Sequence, residues 1–136
     1  MAMVLNNTVY RDAEGSEGVV PLVLVHAFPV DHRMWDDCAL RVIALSDERG
    51  LPAFPVWAPD TPGSGESPVP ADEDCGPRAA DGSYPEALDR LVDAHAELVR
   101  SAGYRGAVWV GLSMGCPLYI SPSPRVWQNS RMASSA

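Results

Sequence analysis

Ser113 stands in the run Gly111-Leu112-Ser113-Met114-Gly115, a G-x-S-x-G spacing placed directly after an apolar stretch. A strand that turns sharply into a helix brings backbone atoms close together, so small residues are needed on both sides of the serine. Such a turn presents the hydroxyl at the carboxyl end of a sheet, where a nucleophile would stand. The spacing alone is a weak signal, and its position after a strand is what makes it informative. Two other segments follow apolar stretches in the same way. They are His26-Ala27-Phe28-Pro29 and Asp60-Thr61-Pro62-Gly63-Ser64-Gly65-Glu66-Ser67. The remaining polar candidates read as structural. His32 falls at the start of an exposed helix, and His95 lies on the apolar face of its own helix as a core histidine. Asp72-Glu73-Asp74 reads as a solvated loop.

The elements that must position these segments follow from hydrophobic period. Residues 4–11 read as a short strand, and 21–25 (PLVLV) as a strand buried on both faces of a parallel sheet. A helix is predicted over 32–48, with Trp35, Ala39, Val42, Ile43 and Ser46 on one face and Gly50 past its end. A second apolar strand spans 53–57, interrupted by Pro55, and a long loop rich in Pro, Gly and acids spans 58–82. Ser83-Tyr84-Pro85-Glu86 has the spacing of a capping box. Leu88, Leu91, Val92, His95, Leu98 and Val99 then recur at helical period up to Gly103. Residues 107–110 (AVWV) read as a third buried strand. Strands alternating with helices in this order predict an α/β fold with a parallel sheet.

The 136 residues fit one small domain, and the composition narrows its chemistry. Eighteen acidic residues oppose ten basic ones for a formal charge of -8, and every basic residue is Arg. With no Lys there is no Schiff-base amine and no phosphate-binding P-loop. That also disposes of a GTP-binding reading of Asp60-Thr61-Pro62-Gly63 as a D-x-x-G switch, since the upstream lysine loop is missing. An acidic chain without a basic stripe argues against nucleic acid as a partner, and no apolar run is long enough to span a membrane. The three cysteines, Cys38, Cys75 and Cys116, have neither disulfide nor zinc spacing. A cytoplasmic protein is the expectation.

Taken together, in this order and at these strand ends, the three segments resemble the alpha/beta-hydrolase superfamily. His26-Ala27-Phe28-Pro29 is similar to its H-G-x-P oxyanion loop, with Ala27 where Gly is usual. Asp60, Gly63, Gly65 and Ser67 match its D-x-x-G-x-G-x-S loop, and residues 111–115 its nucleophile elbow. Met34-Trp35 also fits, because Trp is frequent there. The resemblance covers residues 1–115. It implies Ser113 as the nucleophile, the backbone N–H groups of Phe28 and Met114 as the oxyanion hole, and Asp60 as a structural loop residue. His26 is expected to brace its loop. A carboxylic ester, a lactone or a similar small acyl compound would be the substrate, with no cofactor and no metal.

One departure from the family is large. The family's acid and histidine lie beyond the elbow. The residues that follow Ser113 here contain no Asp, Glu or His. Without an imidazole the serine hydroxyl stays protonated and is a poor nucleophile. The chain is therefore expected to be an incomplete, N-terminal part of the fold, truncated just after the elbow and inactive by itself. Residues 116–136, acid-free and rich in Pro and Ser, are expected to be disordered or foreign to the fold. The strand at 107–110 would form an open edge through which copies self-associate. A non-catalytic half-fold serving as a binding or interaction module is the alternative expectation.

Overall fold

The computed structural model describes residues 3–13 and 18–113. A four-stranded sheet lies at the centre in the order β1-β3-β2-β4. Its strands are β1 (Asn7–Arg11), β2 (Leu22–Val25), β3 (Val56–Pro59) and β4 (Val108–Gly111). The helix α1 (Asp36–Glu48) connects β2 to β3, and α2 (Ala87–Ser101) connects β3 to β4. β2 runs parallel to both β3 and β4, with Leu22 opposite Val56 on one side and Val108 on the other.

Alternation along β2 divides the core into two layers. Val23 and Val25 face α2 and pack with Trp57, Trp109, Val92 and Val99. Leu24 faces α1 and packs with Ala39, Val56 and Ala58, flanked by Tyr10, Trp35, Ile43 and Phe54. Val23, Leu24, Val25 and Val56 are at most 2% exposed. Each apolar side chain buried so fully stabilises the fold by about 1.5–3 kcal/mol. The apolar run at 21–25 therefore means what it usually means, a strand covered on both faces.

Four expectations need correction. β1 pairs antiparallel with β3, so the sheet is mixed rather than wholly parallel. β3 begins after Pro55, because a ring nitrogen cannot donate to the ladder; the strand is shifted forward to Val56–Pro59. The capping box does not form. The Ser83 hydroxyl and backbone N–H both donate to Asp81 Oδ1, at 2.6 and 2.9 Å, and α2 starts later, at Ala87. Glu86 instead pairs with Arg90 one turn on, at 3.2 Å. The acidic run at 72–74 is not plain loop but a 3-10 turn (Asp72–Cys75), with Asp74 accepting from the Ala71 N–H at 3.0 Å.

β4 is also only half as buried as its composition predicts. Trp109 is 7% exposed against α2, whereas Val108 and Val110 on the other face are 52% and 37% exposed. Among the described residues, α1 covers β2 and β3 and nothing covers that face of β4. Its outer edge is likewise unpaired among them, as the sequence predicts for residues 107–110. The segment 116–136 lies outside the described residues.

Candidate active site

Three loops leave the sheet at its carboxyl end, one after each parallel strand. Residues 26–31 follow β2, 60–67 follow β3, and Leu112 and Ser113 follow β4. The Leu112 N–H donates to the Val25 carbonyl at 3.3 Å, which ties the last of these to the first. Ser113 is exposed and has a φ of 55°. It is the one non-glycine residue among those described with a left-handed backbone. That conformation costs a residue with a Cβ roughly 1–2 kcal/mol. A strained serine at the end of a parallel strand is the feature the G-x-S-x-G spacing predicts. Met114 lies outside the described residues.

The 26–31 loop is anchored by two rings. The Thr61 backbone N–H donates to His26 Nε2 at 3.0 Å, so Nε2 carries the lone pair. His26 Nδ1 faces the Ala27 carbonyl at 2.9 Å and must carry the proton. His26 thus braces its loop as the sequence suggests, and its one lone pair is already occupied. Ala27 N–H donates to Met34 Sδ at 3.3 Å, which gives the methionine beside Trp35 a local purpose. The Phe28–Pro29 peptide is cis, and the Phe28 ring is 74% exposed.

His32 is the second ring, and here the sequence reading was wrong. It is not a bland exposed residue: its side chain is 12% exposed and its Nδ1 donates to Asp60 at 2.8 and 3.0 Å. Asp60 is wholly buried and also accepts from the His32 backbone N–H at 2.8 Å, Glu66 N–H at 3.1 Å and Asn6 Nδ2 at 3.4 Å. Burial pushes its carboxyl up, but the hydrogen bonds from His32, Glu66 and Asn6 outweigh that and hold it below 3.8. Ser67 completes the loop, donating to the Asp60 carbonyl at 2.6 Å and accepting from Asn6 N–H at 2.8 Å. Gly65 is required twice over. Its φ is +51°, and a Cβ there would lie 2.4 Å from an Asp60 carboxylate oxygen.

Asp31, His32 and Asp60 offer donor atoms within 4.8 Å of one another, as a cation site would. These atoms are already engaged with N–H groups. Asp60 holds the four contacts above, and Asp31 accepts from the Arg33 N–H at 2.9 Å. The cluster is a hydrogen-bonded loop anchor. Asn6, Thr61 and His32 are the residues sequence reasoning missed, because their partners lie between 28 and 61 positions away.

His95 sits apart, 1% exposed in the α2 layer, with Nδ1 donating to Leu91 O at 2.8 Å and its ring edge-on to Trp109. Burial lowers its pKa to about 4, opposed by the hydrogen bond to the Leu91 carbonyl. It is the core histidine that the helical period predicts.

Comparison with known proteins agrees with this layout. The Alpha/beta hydrolase family model matches residues 22–135. The chain belongs to that family. Among solved structures it is similar to a predicted CIB-like hydrolase from Thermoplasma acidophilum, at 22% identity and a TM-score of 0.55, over 88% of this chain and 56% of that one. It is also similar to a haloalkane dehalogenase loop variant from Bradyrhizobium elkanii, at 18% identity and a TM-score of 0.51, over 85% of this chain and 34% of that one. The thioesterase domain from the curacin biosynthetic pathway matches at 17% identity and a TM-score of 0.52, over 85% of this chain and 40% of that one. Likeness at these identities establishes the fold, and the chain spans between about a third and a little over half of these neighbours. No curated protein sequence matches it. Among the described residues, no helix is long and apolar enough to cross a membrane.

Proposed function

We propose that the chain carries the nucleophile and oxyanion half of a serine hydrolase acting on a carboxylic ester, a lactone or a similar small acyl compound. The observation that carries this reading is the strained, exposed Ser113 at the carboxyl end of β4. Its Oγ attacks the carbonyl carbon, and the oxygen that gains negative charge is met by the Phe28 N–H and, by family resemblance, the Met114 N–H. The leaving alcohol departs with a proton, and water then releases the acid from the acyl-enzyme.

None of the three histidines serves as the base. His26 Nε2 is engaged by Thr61, His95 is buried in the α2 layer, and His32, held by Asp60 at Nδ1, makes no hydrogen bond to Ser113 among the described residues. The 136-residue chain alone therefore reacts slowly, on the order of 10⁴-fold or more below a complete triad. A fluorophosphonate probe tests this. The chain should label at background rate at pH 7, and added imidazole should raise labelling at Ser113 only. A signal that persists in Ser113→Ala sinks the nucleophile assignment. Fast labelling without imidazole sinks the claim that the chain lacks a base.

We also infer that the isolated chain pairs with itself through β4. The support is the open outer edge and the half-exposed Val108 and Val110. Light scattering should report a mass that rises with concentration, and Val110→Lys should return it to monomer. A constant monomer mass up to high concentration overturns the inference.

A further inference from the structure

The structure assigns to His26 the role of setting the direction of the Phe28 N–H. This rests on the serine-hydrolase reading above, in which that N–H receives the developing oxyanion. The Ala27 carbonyl accepts two hydrogen bonds, from His26 Nδ1 at 2.9 Å and from the Val30 N–H at 3.1 Å. The first holds the oxygen against the buried His26 ring, which is 2% exposed. The Ala27–Phe28 peptide is planar and trans, so its C=O and N–H point in opposite directions. With the oxygen turned onto the ring, the Phe28 N–H turns away from it. That N–H has no hydrogen-bond partner among the described residues. It is a free donor in a loop whose Ala27 and Val30 N–H groups are both bonded.

The tautomer is what makes the latch directional. The Thr61 N–H can only donate, so it fixes the lone pair of His26 on Nε2 and thereby leaves the proton on Nδ1, facing Ala27 O. The opposite tautomer would set two N–H groups against each other at Thr61 and a lone pair against a carbonyl oxygen at Ala27. The Val30 N–H alone would then hold the Ala27 carbonyl, and a flipped peptide would present an oxygen where the oxyanion must sit. His26 is thus a positioning residue: it acts on the reacting oxygen only through the backbone it holds. The nearby Asp60–His32 pair fixes where the loop ends, and His26 fixes which way its peptide faces.

Two substitutions separate the halves of the ring. In His26→Asn the amide nitrogen replaces Nδ1 and keeps the donor to Ala27 O, but offers nothing to Thr61. In His26→Gln the amide oxygen replaces Nε2 and keeps the acceptor for Thr61, but the donor to Ala27 is lost. Imidazole-assisted fluorophosphonate labelling of the full chain should fall less than about 3-fold in His26→Asn and about 10- to 100-fold in His26→Gln, a partial loss of one oxyanion donor. Equal rates in the two variants, or the reverse order, overturn the assignment. Long-range ¹H–¹⁵N spectra of the unsubstituted chain give a reading independent of labelling and of variant folding. A His26 signal with the proton on Nδ1 supports the latch, and one with the proton on Nε2 overturns it. If Ser113 never labels while the Nδ1–H tautomer is seen, the latch stands and the serine-hydrolase reading fails.

Discussion

Asp60→Ala should destabilise the chain by about 3–5 kcal/mol, a loss large enough to leave much of it unfolded. The carboxylate is fully buried and accepts from two backbone N–H groups, His32 and Glu66, and from the His32 ring. Removing it strands those donors without water, and each buried donor left unmade costs about 1–3 kcal/mol. Asp60→Asn is the sharper variant. Every partner of the Asp60 carboxylate is an N–H donor, so an amide must turn its own NH₂ against one of them. The expected order of stability is Asp, then Asn, then Ala, read as urea midpoints with unchanged slopes. A loss below about 1 kcal/mol for Asp60→Ala would show that the 60–67 loop stands without its carboxylate. The pH dependence has a definite sign. Because the folded pKa is depressed, this stabilisation is complete above 3.8 and is lost only as the pH falls below it, through the folded value.

The second large effect comes from His95, in a different pH window. The ring is buried and its pKa is lowered from 6.5 to about 4. Between these values the unfolded chain takes up a proton that the folded chain refuses, so stability falls as pH falls. The loss begins near 6.5 and is full below about 4. It amounts to about 2 kcal/mol between pH 7 and pH 5, and to roughly 3 kcal/mol in all. Urea unfolding at half-unit steps from pH 7.5 to 4 should show this slope, and His95→Phe should remove most of it. Parallel curves for the two proteins would mean that His95 is charged in the fold or that water reaches it. Since the Asp60 loss begins only below 3.8, the two effects can be separated on one titration.

Residues that announce themselves by local period or by steric necessity were readable in advance. β2 was legible because a continuous apolar run has few other uses, and α2 because six residues recur at helical spacing. The turn at Ser113 was legible because two glycines flank a serine after a strand, and that arrangement has a backbone reason. The antiparallel course of β1 was not, since Asn7, Thr8 and Arg11 give no sign of which way a short polar strand will pair. Asp60 could be read as structural, but its ring partner could not: the choice of His32 depends on how the 3-10 turn His32–Trp35, which precedes α1, carries that side chain back over the sheet. The capping box failed for a related reason, because Ser83 found a closer acceptor in Asp81. The orientation of the His26 ring was invisible too, since it is settled by a backbone N–H thirty-five positions away.

The two edges of the sheet are unlike, and this gives the fold a polarity. β1 is a finished edge. Its ladder slips register between Val9 and Arg11, and Arg11 reaches sideways to Asp47 at 2.8 Å and stacks over Phe54 at 4.7 Å. A kinked, charged margin of this kind is a poor template for another strand. β4 is the reverse: a regular strand with Val108 and Val110 turned outward and no charge on it. Among the described residues, growth of this sheet, whether by a further segment or by another molecule, can proceed in one direction only. Like a polymer with one capped and one living end, it adds next to Ser113, so whatever pairs with β4 arrives beside the proposed nucleophile.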